Sequence, residues 1–584
     1  MFSYTCLPGI FHKTLIASMQ RLKKTFGTAP LALFFLIPQL CSIKGVSAKV
    51  ASPLLLAVTF DEKLKDFSYW SNLCNLQVDT LKYEEAKAAC EQAIVLKPKD
   101  PLAWTDYSGV LLLMKQYAQA IASSEQALKF NSKTSLAFTY KCMALTALGR
   151  NEEALDACNQ ALKVDGIWGR KSPKLAWLNR GVILSQQNQY EKAMVAYDRT
   201  LLLQPKDSLT LAYRCEALNK LGQFIGAIAA CNQAIEGNGD WGSKSQTFAL
   251  ANRAIAHRQL NKLEQAIADY DKLLAIDPND VIAWADQATV LEKLSRNAEA
   301  LTSYDRSIAL NPKYSFAQVG RCTILNKLYQ YKDAEVACNE AIKGDGNWQE
   351  IGLAQAWNEL GEAQAGQEQY EKALASLQRT VGMKPDYAEA WNNRSVALWH
   401  LERYGEALDS TKKAIALNQN YTQAWFNQGT ILSKTKQYNY ALIAYNKALE
   451  IEPNNAEGWA SQSVIQWQLK NYNEALASTD KALLFNSKSF QAWYNRGIVL
   501  TDMKRYDEAL FAYKQAVKIN PQSADALTGR GVVLSKLKRY QQAMSVLQAA
   551  LKLNENQLVA KATLKIVIQE LAKEAESVSP LLKR

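Results

Sequence analysis

The chain has 584 residues, of which 48% are hydrophobic and 21% charged, so its composition is that of a folded protein and excludes extensive disorder. Its net charge is +12, but the first 48 residues contribute five positive charges and no negative one, and the remaining charges are interspersed without a basic run. This distribution argues against nucleic-acid binding.

The first 48 residues have the organisation of a secretory signal peptide. The basic segment QRLKK precedes the apolar stretch PLALFFLIPQLC, which is too short to span a bilayer comfortably. Val46 and Ala48 then occupy the two small-residue positions before a cleavage point, which predicts cleavage after Ala48. Translation from Met19 would give a signal of more usual length. Residues 49–66 are interpreted as an N-terminal linker or cap.

The same N-terminal segment could instead attach the protein to a membrane, through a lipid or as an uncleaved anchor. Lipid attachment through Cys41 is disfavoured, because Leu40 stands where such sites have a small residue. An uncleaved anchor, helped by SPLLLAVTF at 52–60, remains the alternative. The sequence therefore predicts export to a periplasm, a lumen or the extracellular space, with membrane anchoring by the N-terminus as the alternative.

A period of 34 residues follows and extends from Phe67 to Gln557. It gives about fourteen units, three of which have 39 residues, at 135–173, 208–246 and 315–353. Within each unit, apolar residues recur at i, i+3 or i+4 and i+7 in two segments, which predicts two short amphipathic helices. Such a pair cannot bury its own apolar face, so the units must stack into a solenoid.

The ends of these helices are also marked in the sequence. Prolines stand just past the second helix of many units, and Asp100 and Asp280 are placed to cap the next first helix. After the last unit, residues 558–576 predict a solvated capping helix, and 577–584 are a tail.

The units resemble the tetratricopeptide repeat family over residues 67–557. Tryptophan recurs at the fourth position, a small residue at the eighth, tyrosine near the seventeenth and alanine at the twentieth, as in Trp425, Gly429, Tyr438 and Ala441. The resemblance implies an all-α, right-handed superhelical solenoid whose first helices line a concave groove. It also implies a protein that binds other proteins or peptides.

Four units depart from this pattern by having cysteine at both the eighth and the twenty-fourth positions. The pairs are Cys74 with Cys90, Cys142 with Cys158, Cys215 with Cys231, and Cys322 with Cys338. No unit has only one of the two cysteines; elsewhere Gly or Ala at the eighth position accompanies a bulky residue at the twenty-fourth, and Ser accompanies Ser or Thr, so the two positions are predicted to touch.

After cleavage these eight cysteines would be the only ones left in the chain. An even, fully paired count in an exported protein predicts four disulfides, each within one unit. The alternative is that cysteine is simply a small buried residue at a close helix crossing. A zinc site is not expected, because no unit offers four ligands.

The three longer units insert a glycine-containing loop after the second cysteine, and each loop contains one tryptophan. These are Trp168, Trp241 and Trp348. Each is predicted to fill the gap left by the longer turn, with contact to a partner as the alternative.

Large aromatic residues and asparagines mark units ten to thirteen on the face predicted to line the groove. In relatives that hold extended peptides, asparagine at the sixth position grips the peptide backbone. The predicted client-binding residues are Asn393, Asn427, Asn495, Trp399, Phe426, Trp467 and Tyr494. The alternatives are that the aromatics pack on a neighbouring unit and that asparagine merely suits an exposed helix position.

Catalysis is not expected, because neither flank can hold a catalytic domain and the repeats show no phosphate loop, no nucleophile with a base and no ligand cluster. No cofactor and no metal are predicted. The expected function is a non-enzymatic scaffold that binds a protein or peptide client in its groove, without nucleic acid and without membrane contact beyond an uncleaved N-terminus. The alternative is a carbohydrate-binding or wall-associated structural protein, in which the same aromatics stack on sugar rings.

Overall fold

The computed structural model describes residues 65–578, apart from positions 165, 167, 170, 243, 350 and 351. The predicted signal peptide, the linker up to residue 64 and most of the predicted tail lie outside the described residues. In the described part every regular element is an α-helix, and the helices pack in consecutive pairs, which confirms the predicted all-α solenoid.

The helices are numbered α1 to α29 in chain order. Their bounds are α1 Phe67–Asp79, α2 Tyr83–Leu96, α3 Pro101–Leu113, α4 Tyr117–Phe130, α5 Ser135–Ala147, α6 Asn151–Lys163, α7 Lys174–Gln186, α8 Tyr190–Leu203, α9 Ser208–Lys220, α10 Phe224–Ile235, α11 Gln246–Gln259, α12 Leu263–Ile276, α13 Val281–Lys293, α14 Asn297–Leu310, α15 Ser315–Lys327, α16 Tyr331–Lys343, α17 Leu353–Gly366, α18 Tyr370–Met383, α19 Ala388–His400, α20 Tyr404–Leu417, α21 Thr422–Lys434, α22 Tyr438–Ile451, α23 Ala456–Gln468, α24 Tyr472–Phe485, α25 Phe490–Asp502, α26 Tyr506–Ile519, α27 Ala524–Lys536, α28 Tyr540–Leu553 and α29 Leu558–Val578. The pairs α1–α2 to α27–α28 are repeats 1 to 14, and α29 follows the last repeat.

A residue in the left-handed conformation closes the first helix of each repeat. These residues, fifteenth in their repeats, are Leu81, Lys115, Gly149, Asn188, Gly222, Asn261, Ser295, Tyr329, Glu368, Glu402, Lys436, Lys470, Lys504 and Lys538. Such a residue ends a helix by turning the chain so that the last carbonyls find donors, as where the N–H of Lys82 donates to the carbonyl of Gln77. Three residues separate the two helices in each case, so this turn has one fixed length.

Two junctions between repeats have an aspartate cap, and six have a hydrogen bond from a tryptophan. Asp100 Oδ1 accepts hydrogen bonds from the N–H groups of Leu102 and Ala103, as predicted for a cap, and Asp280 does the same for α13. Trp104 Nε1 donates to the carbonyl oxygen of Pro98 at 2.8 Å, across the junction. The same bond recurs at Trp284, Trp391, Trp425, Trp459 and Trp493.

The five-residue insertions supply the cap that repeats 5 and 8 otherwise lack. In repeat 5 the loop after α10 folds back on the start of α9, where Ser208 N donates to Asn238 Oδ1 and Leu209 N donates to the carbonyl of Asp240. The equivalent bonds in repeat 8 join Ser315 to Asp345 and Phe316 to Asn347. The loops therefore satisfy donors at a first-helix N-terminus whose preceding residue makes no side-chain cap bond.

The tryptophans of these loops are partly buried. Trp241 packs against the apolar cluster of repeat 5 that contains Cys215 and Cys231, and Trp348 packs against Val319. These two contacts agree with the predicted gap-filling role.

A column of fully buried alanines forms the centre of the array. They are Ala86, Ala120, Ala154, Ala193, Ala227, Ala266, Ala300, Ala334, Ala373, Ala407, Ala441, Ala475, Ala509 and Ala543, the twentieth residues of repeats 1 to 14. A methyl group at this place lets the two helices of a repeat approach closely. Among the described residues, none of the helices combines the length and the apolar content that crossing a bilayer requires.

The eighth and twenty-fourth residues of a repeat are in contact, as their coupled composition predicts. The Cα atoms of the four cysteine pairs are 5.1 to 5.4 Å apart, a separation that accommodates a disulfide. In repeat 2, the hydroxyls of Ser108 and Ser124 share a hydrogen bond of 2.7 Å. In repeat 4, a Cβ on Gly181 would overlap the ring of Tyr197. Small and large residues are thus exchanged at one contact.

Candidate functional site

Two of the predicted client-binding residues line a single cavity on the first helices of repeats 10 and 11. This cavity of about 160 Å³, called here the Trp399 cavity, is bordered by α19 and α21. Its lining residues are Ser395, Val396, Trp399, His400, Asn427, Thr430 and Ile431. The site therefore combines an aromatic wall, aliphatic side chains and an amide.

Trp399 has an unsatisfied hydrogen-bond donor at this cavity. Its Nε1 is buried and has no hydrogen-bond partner among the described residues. The indole ring meets His400 edge to face at 4.7 Å, and His400 stacks on Tyr370 at 4.1 Å, so the wall is held in place. Burial lowers the pKa of His400, which favours the neutral imidazole.

Asn427 lines the same cavity, and its amide already forms two hydrogen bonds within the protein. Its Nδ2 donates to Asn392 Oδ1 at 2.8 Å, and its Oδ1 accepts from Gln423 at 3.2 Å. A carbonyl oxygen can accept a second hydrogen bond, so Asn427 can still offer an acceptor to a bound molecule.

The other predicted aromatics lie against neighbouring repeats or helices. Phe426 lies where any Cβ on Gly458 of repeat 12 would clash with its ring. Trp467 Nε1 donates to Asp502 of repeat 13 at 2.7 Å. Tyr494 stacks on Phe490 at 5.9 Å, and burial raises its pKa. For Phe426 and Trp467 the geometry favours packing on a neighbouring repeat over binding, while the stacking of Tyr494 lies within its own helix.

Asn495 does not face the groove, contrary to the sequence-based expectation. It is only 3% exposed, and its Nδ2 donates to the carbonyl of Ala460 in the preceding repeat at 2.9 Å. Asn393 is part-buried and likewise donates back to the preceding repeat, to Asn358 Oδ1 at 3.2 Å. These amides join consecutive repeats, because the sixth position lies at the edge where two first helices meet.

Replacing Asn495 with alanine is expected to lower the local free energy of unfolding of repeats 12 and 13 by about 0.5 to 1.5 kcal/mol, since the hydrogen bond from Asn495 to the Ala460 carbonyl of the preceding repeat would be lost while that carbonyl keeps the Ser463 hydroxyl as a donor. Asn179→Ala is the matched control, because Asn179 also stands sixth in its repeat but donates only within its own helix, to Leu175. Hydrogen exchange followed by mass spectrometry measures both. Equal losses of protection in the two variants would contradict the inter-repeat role.

A larger cavity lies on the first helices of repeats 1 to 4, where no client-binding residue was predicted. This N-terminal cavity has a volume of about 390 Å³ and apolar lining from Val78, Leu102, Leu113 and Met143. Lys171, from the insertion loop of repeat 3, also borders it.

The second insertion loop reaches the groove in the same way. Lys244 borders a cavity of about 220 Å³ together with Glu216 and Phe248, and its Nζ lies 5.0 Å from the centroid of the Phe248 ring. Burial raises the pKa of Glu216, an effect that the nearby charge of Lys244 opposes. The insertion loop of repeat 5 therefore caps a first helix and also brings a lysine to a groove cavity, and the loop of repeat 3 likewise brings Lys171 to one.

Three carboxylates that sequence analysis did not connect meet in the middle of the groove. Glu359, Glu362 and Glu389 each bring one oxygen within 4.8 Å of the others'. Burial raises the pKa of Glu359 to about 8, with a smaller contribution from the charge of Glu362. The only sequence signal was the presence of acidic residues on two successive first helices.

Family comparisons identify the repeat. Sequence models described as tetratricopeptide repeat match residues 175–207, 248–280, 358–422, 422–455, 490–523 and 524–557. A model of the protein prenyltransferase alpha subunit repeat also matches residues 472–503.

Similar proteins match only short segments. Protein PHOX1 of Arabidopsis thaliana is 35% identical over 106 residues, which are 17% of this chain and 14% of PHOX1. RNA polymerase II-associated protein 3 of Homo sapiens is 29% identical over 116 residues, which are 20% of this chain and 17% of that protein. The chain thus spans less than a fifth of the length of these relatives.

Similar solved structures cover more of the chain. Cut9, in the APC/C hetero-tetramer Cut9–Hcn1, aligns over 86% of this chain and 96% of its own at 16% identity, with a TM-score of 0.41. The Naa15/Naa10 structure bound to HypK-THB aligns over 88% and 98% at 12% identity, with a TM-score of 0.36. YrrB, a TPR protein with an unusual peptide-binding site, aligns over 32% and 97% at 21% identity, with a TM-score of 0.29.

Proposed function

Because this chain is a tetratricopeptide repeat protein, we propose that it is a non-enzymatic scaffold that binds a polypeptide client along the face of its first helices. The observation that carries the proposal is a cavity lined by Trp399, whose buried indole N–H has no hydrogen-bond partner among the described residues. A buried donor without an acceptor costs about 1 to 3 kcal/mol, and a main-chain carbonyl of a client would remove that cost.

The chemistry of the Trp399 cavity suits a peptide segment. The indole N–H could donate to the carbonyl of an extended peptide residue, and Asn427 Oδ1 could accept from the N–H of that residue. Val396 and Ile431 supply apolar surface for one side chain. The N-terminal cavity offers a second, larger apolar contact on the same face, so a client long enough to reach both would gain from two attachments.

Replacing Trp399 with phenylalanine is expected to weaken client binding about five- to tenfold, since the aromatic surface stays while the hydrogen bond is lost. The client is first captured by a photo-crosslinking residue placed at Val396 and identified by mass spectrometry. Its affinity is then measured by calorimetry. Trp467→Phe is the matched control, because the Trp467 N–H already donates to Asp502 and is not available to a client.

Client binding that is unchanged in Trp399→Phe, or weakened equally by Trp467→Phe, would contradict this site. Retention of the protein on polysaccharide, lost in Trp399→Phe and without a crosslinked polypeptide, would favour the carbohydrate-binding alternative.

We also propose that the protein is exported and that its four cysteine pairs are oxidised. Support comes from the leader-like N-terminus and from the placement of all eight cysteines in adjacent pairs.

The intact mass of protein isolated from its own compartment is expected to place the new N-terminus at Lys49. The mass should also fall short of the reduced value by about two mass units per bridge. An N-terminus that retains the leader would favour the anchored alternative. Eight alkylatable thiols in the native protein would exclude the disulfides.

A further inference from the structure

We propose that the turns inside repeats 11 to 14 form a basic ridge that binds the surface of a membrane containing anionic lipids. The basic ridge consists of the lysines at the thirteenth and fifteenth positions of these repeats, which are Lys434, Lys436, Lys470, Lys504, Lys536 and Lys538. None of them lines the Trp399 cavity. The ridge is therefore a second binding surface, and it adds a membrane contact that the sequence analysis did not predict.

Four of these lysines have the left-handed conformation that closes a first helix. They are Lys436, Lys470, Lys504 and Lys538, with φ between 58° and 62°. Glycine and asparagine adopt this conformation more readily than lysine, and earlier repeats have Gly149, Asn188, Gly222 and Asn261 at the same place. The turn itself therefore does not require lysine. The helix dipole favours a cation at every first-helix C-terminus, so it does not explain why lysine is concentrated in the last four repeats.

The basic ridge is confined to the C-terminal part of the array. The fifteenth residues of repeats 9 and 10 are Glu368 and Glu402, so the charge at this place changes sign between repeats 10 and 11. In repeats 11 to 14 each helix packs on the next without an inserted loop, which sets the four turns side by side. The sequence has no basic run, because only the 34-residue period brings these lysines together.

The protein does not neutralise the basic ridge itself. All six lysines are exposed, and none forms an ion pair or a side-chain hydrogen bond with another residue in the described part of the chain. The arginines of the same turns do form ion pairs, since Arg505 binds Glu508 at 2.7 Å and Arg539 lies 3.4 Å from Asp507. The arginines thus occupy nearby acids, and the lysines remain available to an external anion.

The character of the ridge fits lipid headgroups. Its four turns are 434–437, 468–471, 502–505 and 536–539, and they contain none of the exposed large hydrophobic side chains of the described array. A specific protein interface is centred on aromatic or apolar anchors, which these turns lack. Anionic lipids need no such anchor, because they move within the bilayer toward exposed lysines. Nucleic acid offers similar charges, and the proposed export, on which this step alone rests, keeps the protein away from it.

The test measures cosedimentation of the full protein, isolated from its own compartment, with phosphatidylcholine vesicles containing about one third phosphatidylglycerol. We expect a preference for these vesicles over pure phosphatidylcholine, and the preference should fall as salt is added. A retained leader would bind both kinds of vesicle alike, so the preference isolates the ridge. Replacing Lys436, Lys470, Lys504 and Lys538 with asparagine should weaken binding to the anionic vesicles about a hundredfold or more.

The turns are expected to persist in this fourfold variant, because Asn188 and Asn261 occupy the same place in repeats 4 and 6. Client binding at the Trp399 cavity should not change, so the two proposals are tested separately. Lys504→Asn alone should weaken vesicle binding about three- to fivefold. Its matched control is Lys115→Asn, which changes the left-handed lysine of repeat 2, outside the ridge, and should have no effect.

Equal affinity for anionic and neutral vesicles would overturn the proposal, as would undiminished binding of the fourfold variant to anionic vesicles. Equal losses in Lys504→Asn and Lys115→Asn would also overturn it, since the attraction would then come from net charge and not from the ridge. Tighter binding to a DNA duplex than to the anionic vesicles, lost in the fourfold variant, would replace the membrane with nucleic acid as the partner of the ridge.

Discussion

Replacing Tyr197 with cysteine is expected to lower the local free energy of unfolding of repeat 4 by about 3 kcal/mol. The ring is fully buried, stacks on Tyr213 at 6.0 Å and shares a hydrogen bond of 3.0 Å with Ser185. Its removal leaves a cavity that the surrounding helices can close only in part. The loss is expected within repeat 4, because Gly181 and Tyr197 belong to the two helices of that repeat.

The companion change Gly181→Cys is expected to cost about 1 to 3 kcal/mol on its own, because the new Cβ would overlap the Tyr197 ring. Combined with Tyr197→Cys, it should cost less than the sum of the single changes by about 2 kcal/mol. The doubly substituted repeat would have the cysteine arrangement of repeats 3 and 5, and oxidation should then stabilise it by about 3 kcal/mol more.

The measurement is hydrogen exchange resolved to repeat 4, with and without a reductant. Local exchange is preferred to a global melting curve, because an array of stacked repeats need not unfold in one step. Additive costs in the double variant would contradict a direct contact between the two positions.

Replacing both Cys142 and Cys158 with alanine is expected to destabilise repeat 3 by about 3 kcal/mol when the unmodified protein is oxidised. The bridge would close a loop with a sequence separation of 16, which restricts the unfolded chain. In the presence of a reductant the same comparison should give a much smaller difference, since both cysteines are then only small buried groups.

Ser108→Ala with Ser124→Ala is the matched control in the preceding repeat. These hydroxyls occupy the same two positions and share one hydrogen bond, so their loss should cost about 1 kcal/mol. That cost should not depend on the reductant. If the cysteine variant and the serine variant respond alike to reduction, the pairs are not oxidised and the small-residue alternative holds.

The repeats and their internal contacts could be predicted because they recur. A contact such as that of Gly181 with Tyr197 is repeated in other units, so its two positions covary within one sequence. The caps at Asp100 and Asp280 were predictable for a similar reason, since each acts on its own chain neighbours.

The groove was predicted less well, because it depends on contacts between repeats. Asn495 is buried because it donates to the carbonyl of Ala460, 35 residues earlier in the preceding repeat. The sequence pattern of a single repeat does not specify such a contact between repeats. The N-terminal cavity is lined by residues from the first helices of four repeats and from one insertion loop, a combination that no single repeat specifies. The cluster around Glu359 needs two successive first helices in register, which the period implies but does not specify residue by residue.

The turn inside each repeat has a constant length, whereas the junction between repeats varies in length. The left-handed turn keeps three residues in every described unit, even where leucine, lysine or tyrosine must adopt its conformation. The five-residue insertions occur only at junctions, where the added loop finds donors to satisfy. For a protein engineer, junctions are therefore the places to graft a foreign binding loop, and for evolution they are the places where new specificity can be added without rebuilding the array.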